Sequence, residues 1–66
     1  MTTTVQVCEW TEQERNTVRA LLRQENINIQ TLDGGRAWVL SRENAAPAAL
    51  EAAARAARAC ARAWTV

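Results

Sequence analysis

Apolar and polar residues alternate over Thr2–Trp10: Thr3, Val5 and Val7 share one face, and Thr4, Gln6 and Cys8 share the other. Period-two alternation predicts a strand over residues 2–9. The period then lengthens. Val18, Leu21 and Leu22 form a narrow stripe at helical spacing, and Thr11-Glu12-Gln13-Glu14 stands before it as a capping box. In that box the Thr11 hydroxyl accepts from the Glu14 amide, and the Glu14 carboxylate reaches back to the Thr11 amide. Glu12 and Glu14 also suit the positive end of the helix dipole. The helix is expected over 11–25. It should stop near Asn26, a residue that tolerates the left-handed conformation of a helix end.

Two β-prone runs follow, separated by Asp33-Gly34-Gly35, the strongest local signal in the chain. They predict a hairpin over 27–40. A turn centred on Asp33-Gly34 would pair Ile29 with Trp38. A turn centred on Gly34-Gly35 slides the register yet keeps Ile27, Ile29, Trp38 and Leu40 on one face. Only a three-residue loop would exchange that face for Ala37 and Val39. Ser41–Asn44 is a short polar link with Ser41 or Asn44 as the next cap, and Pro47 is tolerated in a first helical turn. The alanine- and arginine-rich remainder predicts a helix over 45–64. On it Glu51, Arg55, Arg58 and Arg62 form one stripe, while Ala49, Ala53, Ala56, Cys60 and Trp64 lie opposite as the expected apolar side.

The predicted order is β-α-β-β-α, an α+β fold. The right-handed crossover rule puts the third strand between the first two, with both helices on one face of a three-stranded antiparallel sheet. This is a split ferredoxin-like unit lacking its last strand. Sixty-six residues make a single domain, 1–66, with no linker and no internal repeat. Its expected core draws on Val5, Val7, Trp10, Leu22, Ile27 and Trp38, with Val18, Leu21, Ile29, Leu32, Val39, Leu40, Leu50, Trp64 and Val66. A core that thin gains from a partner or a second copy.

Composition narrows the chemistry. The chain has no histidine, lysine or tyrosine, and its two cysteines, Cys8 and Cys60, lie far apart. General acid–base, covalent and metal chemistry draw heavily on those residue types. The sequence therefore argues against an enzyme, and no catalytic residue, metal or cofactor is expected. Glu9, Glu12 and Glu14 cluster at a helix start, where capping accounts for the last two. Net charge is +1, so global charge selects no partner. Neither a membrane span nor a signal peptide is expected. Free thiols then suit a reducing, cytoplasmic location. All eight basic residues are arginine, which reads with the alanine content as the coding bias of a GC-rich genome.

The segment from Val5 to Ala52 resembles a family of small bacterial proteins labelled as signal-transducing. The matching features are the Val7-Cys8-Glu9-Trp10 step and the helix end Leu21-Leu22-Arg23-Gln24-Glu25-Asn26. Ile27, the Gly-rich turn and Trp38-Val39-Leu40 complete the pattern. The chain departs from it at Asn26, where glycine is common, and in its short central turn. The same pattern is similar to the cytosolic N-terminal domain of some rhomboid proteases. Either resemblance implies a binding module and transfers no active site.

Two sets of residues are candidates for binding. Arg15, Arg19 and Arg23 repeat every four residues on the first helix, and Arg55, Arg58 and Arg62 do likewise on the last. They could flank a groove for phosphate or an acidic partner, or be ordinary solvated faces with pairs such as Glu51–Arg55 and Glu12–Arg15. Trp10 and Trp64 stand at element ends. Packing is favoured for both, with an exposed interface anchor as the alternative. The leading expectation is a module that acts by protein–protein contact, regulatory or inhibitory, through an open strand edge or the uncovered sheet face. A homodimer is its simplest form. The alternatives are a nucleic-acid binder using the arginine stripes, and a phage-type inhibitor of a host enzyme or nucleic-acid-binding complex.

Overall fold

The computed structural model describes residues 2–64, apart from the side chain of Trp64. Strand β1 (Thr2–Gln6) leads to helix α1 (Glu12–Gln24), and β2 (Asn28–Leu32) and β3 (Ala37–Ser41) form a hairpin before helix α2 (Pro47–Trp64). The sheet order is β1-β3-β2 with both pairs antiparallel. The fold is thus α+β, a three-stranded antiparallel sheet with two helices in βαββα order.

The hairpin takes the register of a turn centred on Gly34-Gly35. Ile29 pairs with Leu40, Thr31 with Trp38, and Leu32 with Ala37. The Arg36 amide donates to the Asp33 carbonyl at 3.4 Å across the two glycines, whose φ values are 64° and 104°. Positive φ at both central residues matches the twist of a two-stranded ribbon and is the reason glycine stands there. Trp38 and Leu40 consequently face the helices along with Val5 and Ile29. Thr4, Gln6, Asn28, Gln30, Val39 and Leu32 look out from the uncovered face. Two residues expected in the core therefore lie elsewhere. Leu32 is 40% exposed and Val39 is half-buried, because the pleat sends them to that open face.

Helix α1 starts as expected at one bond and differs at the other. The Thr11 hydroxyl accepts from the Glu14 amide at 3.1 Å. The Glu14 carboxylate, however, accepts from the Thr11 hydroxyl at 3.4 Å and from Arg58 Nε at 3.3 Å. A tertiary cation has drawn one carboxylate oxygen toward α2. At the other end Asn26 has φ 62°, the Ile27 amide donates to the Leu22 carbonyl, and the Asn26 amide donates to the Arg23 carbonyl. This is a Schellman stop, closed by the buried pair Leu22 and Ile27.

Helix α2 corrects two expectations. Neither Ser41 nor Asn44 caps it: Ser41 ends β3 and Asn44 turns the chain with φ 62°. The Ala46 carbonyl accepts from the Ala49 and Leu50 amides, so the helix opens at Ala46-Pro47, where proline lacks an N–H that would go unpaired anyway. Its buried side is Leu50, Ala54, Ala57 and Ala61, with Ala53 beside them. Ala49, Ala56 and Cys60 are exposed, so the true face is rotated by about one residue, roughly 100° of helix, from the expected one. Alanine allows both choices. Leu50, fully buried, decides between them. Alanine also supplies more core than its size suggests, since Ala45, Ala54, Ala57 and Ala61 belong to the buried cluster, and the three on α2 let it lie close to β1 and α1. The expected core place of Val66 lies outside the described residues.

Candidate functional site

The site builds up from the two described tryptophans. After β1 the chain turns, with the Trp10 amide donating to the Val7 carbonyl at 3.1 Å. This folds the Trp10 ring inward against Trp38, edge to face, with centroids 5.7 Å apart and planes at 77°. Such a pair contributes about 0.5–1.5 kcal/mol beyond its burial. Trp10 is only 7% exposed, so the ring packs in the core and does not serve as an exposed anchor. The side chain of Trp64, the other tryptophan at an element end, lies outside the described residues.

An arginine lies over each ring. Arg58 sits 5.0 Å from the Trp10 centroid and Arg19 sits 5.1 Å from that of Trp38. The first is closed by Glu14, whose side chain is 13% exposed. The second has a neutral neighbour, Asn16 Oδ1 at 3.2 Å. Arg15 turns inward beneath them, donating to the carbonyls of Trp10 at 2.6 Å and Val7 at 3.4 Å. It thus locks the β1–α1 turn, and the anticipated Glu12–Arg15 pair gives way to these backbone acceptors. The Glu51–Arg55 pair does form, at 2.7 Å on an exposed helix surface. Arg23 and Arg62 are exposed in the last turns of their helices, where a cation suits the dipole.

The six arginines therefore do not line one groove. The packing turns Arg15 and Arg19 toward the hairpin end of the sheet, and Arg55 and Arg58 toward β1. Two separate clefts result. One, about 250 Å³, runs between the outer edge of β1 and α2, with Val5, Trp10 and Ala54 beneath and Glu51, Arg55 and Arg58 at its rim. The other, about 310 Å³, lies where the β1–α1 turn, α1 and the hairpin tip meet. Arg15, Arg19 and Arg36 line it together with Cys8, Thr31 and the Gly34-Gly35 backbone. A third, shallower groove of about 280 Å³ follows the α1–α2 seam past Leu21, Ala53 and Cys60.

Sequence reasoning placed Arg15, Arg19, Arg55 and Arg58 among the binding candidates and missed Arg36; it set Cys8 on the open sheet face and Glu51 in a helix-surface pair, and counted neither as a binding residue. A signal for Arg36 existed. It follows the glycines directly, and its carbonyl accepts from the Val7 amide at 2.8 Å, which brings the hairpin tip beside Cys8. Only a committed β1–β3 register could reveal that. Cys60, expected as a small buried hydrophobe, is exposed with a free thiol, and so is Cys8. Among the described residues no group of three or more cysteine and carboxylate side chains converges in a way that could hold a metal ion. No described helix is long and apolar enough to cross a membrane.

What fold and site define is a small α+β unit with two open strand edges and two charged clefts. Comparison of the chain with known protein families, with curated proteins and with solved structures finds no match.

Proposed function

We propose that this protein is a non-enzymatic contact module, regulatory or inhibitory in role, and that it works by strand addition at the outer edge of β1. The observation that carries the reading is the edge itself. β1, Thr2-Thr3-Thr4-Val5-Gln6, is an outer strand with no proline and no charged residue, the usual devices that keep an edge from pairing. The Val7 amide points at β3, so alternation turns the Thr4 and Gln6 backbone outward, into the cleft beside α2. An added strand would gain main-chain hydrogen bonds there, and every second side chain would enter the cleft.

A second copy of the chain is the occupant we favour. Two β1 strands paired antiparallel about a two-fold axis would make one six-stranded sheet, and the interface would be self-complementary. The rim suits this, because it carries both signs of charge, Glu51 with Arg55 and Arg58. The composition without histidine, lysine or tyrosine supports a binding role over a catalytic one. The two free thiols support a reducing, cytoplasmic setting.

Light scattering tests this with the Thr4→Pro variant. The outward Thr4 amide makes no bond to β3, so proline blocks the edge and leaves the internal ladder whole. The wild-type chain is expected to have the mass of two chains in low and in high salt, and the variant the mass of one, with an unchanged circular dichroism spectrum. A wild-type chain that stays single at every concentration, or a variant that still pairs, would overturn the proposal.

A further inference from the structure

The cleft at the hairpin end stands apart from the β1 edge and has a different chemistry. We infer that it binds a phosphate monoester through Arg15, Arg19 and Arg36. Three arginines line it, and among the described residues none of the three has a carboxylate within ion-pair distance; Glu51 and Glu14 pair with Arg55 and Arg58 instead. Uncompensated like charges repel, and their convergence is relieved by an anion. Two of the three are held in place before any ligand arrives. Arg15 is fixed by the Val7 and Trp10 carbonyls, and Arg19 by the Trp38 ring and Asn16. Preorganised guanidinium donors lose little freedom on binding an oxyanion.

The chemistry selects the ligand. A phosphate monoester offers nearly two negative charges and three acceptor oxygens, which suits three arginines better than a single carboxylate does. Thr31 and the glycine backbone add polar lining, and the tip borders open space, since a Cβ built on Gly34 or Gly35 would meet nothing within 4 Å. A nucleic-acid backbone is the weaker match. Arg55 and Arg58 line the other cleft and do not extend this one, and the net charge is only +1.

The test is an NMR titration of the full chain with inorganic phosphate and with O-phosphoserine, against chloride at equal ionic strength. Saturable shifts are expected at the Gly34 and Gly35 amides and at the Trp38 indole N–H. Arg36→Ala, in an exposed turn, and Arg19→Gln should each weaken binding about tenfold or more, the loss of one charge-assisted hydrogen bond. Arg23→Gln, on the same helix outside the cleft, removes the same charge and should leave the affinity within about twofold. A second readout uses the two exposed thiols. Bound phosphate should slow iodoacetamide alkylation of Cys8 and leave Cys60 unchanged. Chloride reproducing the shifts, equal losses in all three variants, or equal protection of both thiols would overturn the inference. So would tighter binding of a single-stranded oligonucleotide with shifts spreading to Arg55, which would restore the nucleic-acid reading. Because Thr4→Pro leaves this cleft intact, failure here and failure of strand addition are read separately.

Discussion

Two arginines rest on two indoles in this small domain, at nearly the same distance, and their surroundings set them apart. Arg58 covers Trp10 and finds Glu14, so its charge is neutralised and a contact between α1 and α2 is made. Arg19 covers Trp38 and finds only an amide oxygen, so its charge stays open toward the hairpin-end cleft. The same local pairing therefore serves packing on one side and presents a cation on the other. What decides is the third residue. A carboxylate delivered by the neighbouring helix turns a potential binding group into a fastener.

The comparison can be broken most forcefully at the ring pair. Trp38→Ala should cost about 3–5 kcal/mol, the range for large-to-small changes in a packed core. In a domain this small that removes most or all of the stability, and urea unfolding followed by circular dichroism should show little or no folded baseline. Trp10→Ala, at the margin of the same cluster, should cost less. Equal losses would mean that the two sides are not distinguished by burial.

A second test moves the helix that carries Arg58. Ala57→Leu or Ala61→Leu puts bulk where α2 lies against the core and should cost about 1–3 kcal/mol by overpacking. It should also lift Arg58 from Trp10, visible as a change in indole fluorescence. Cys60→Leu, one position away but exposed, should stay within about 0.5 kcal/mol. Reversal of the two effects would return the buried face to the side first expected from sequence.

The smallest effect sharpens the contrast itself. Glu14→Gln should cost about 0.5–1 kcal/mol, as for a partly exposed ion pair. A double-mutant cycle with Arg58→Met should show positive coupling, whereas a cycle of Glu14→Gln with Arg19→Met should show none. Coupling of similar size in both cycles would mean that the two arginines share one network.

Local rules went far in this chain. Thr11 before a helical stripe, Asn26 after it, and two glycines between β-prone runs each demand a particular backbone, and those elements stand where such demands put them. The strand order followed from crossover chirality, and the core face of the hairpin from its period of two. The α2 face was harder to read. In a helix made mostly of alanine the apolar side is nearly degenerate, and one leucine fixes it through contacts with residues far away in sequence. The candidate site was half legible for the same reason. A four-residue repeat placed Arg15 and Arg19 on one face of α1. It could not say that Arg15 would turn inward to backbone carbonyls, or that Arg36 would arrive from the hairpin.

The sequence by itself determined the order of elements, their caps and turns, the sheet face that meets the helices, and the narrow range of chemistry open to a chain without histidine, lysine or tyrosine. Those properties depend on residues within a few positions of one another, or on composition alone. Only the tertiary structure decided which arginines are neutralised and which stay open, which side of α2 is buried, and where the thiols lie. Each of these depends on groups brought together across the sheet and between the helices, and charge pairing and close packing are settled by distance in space.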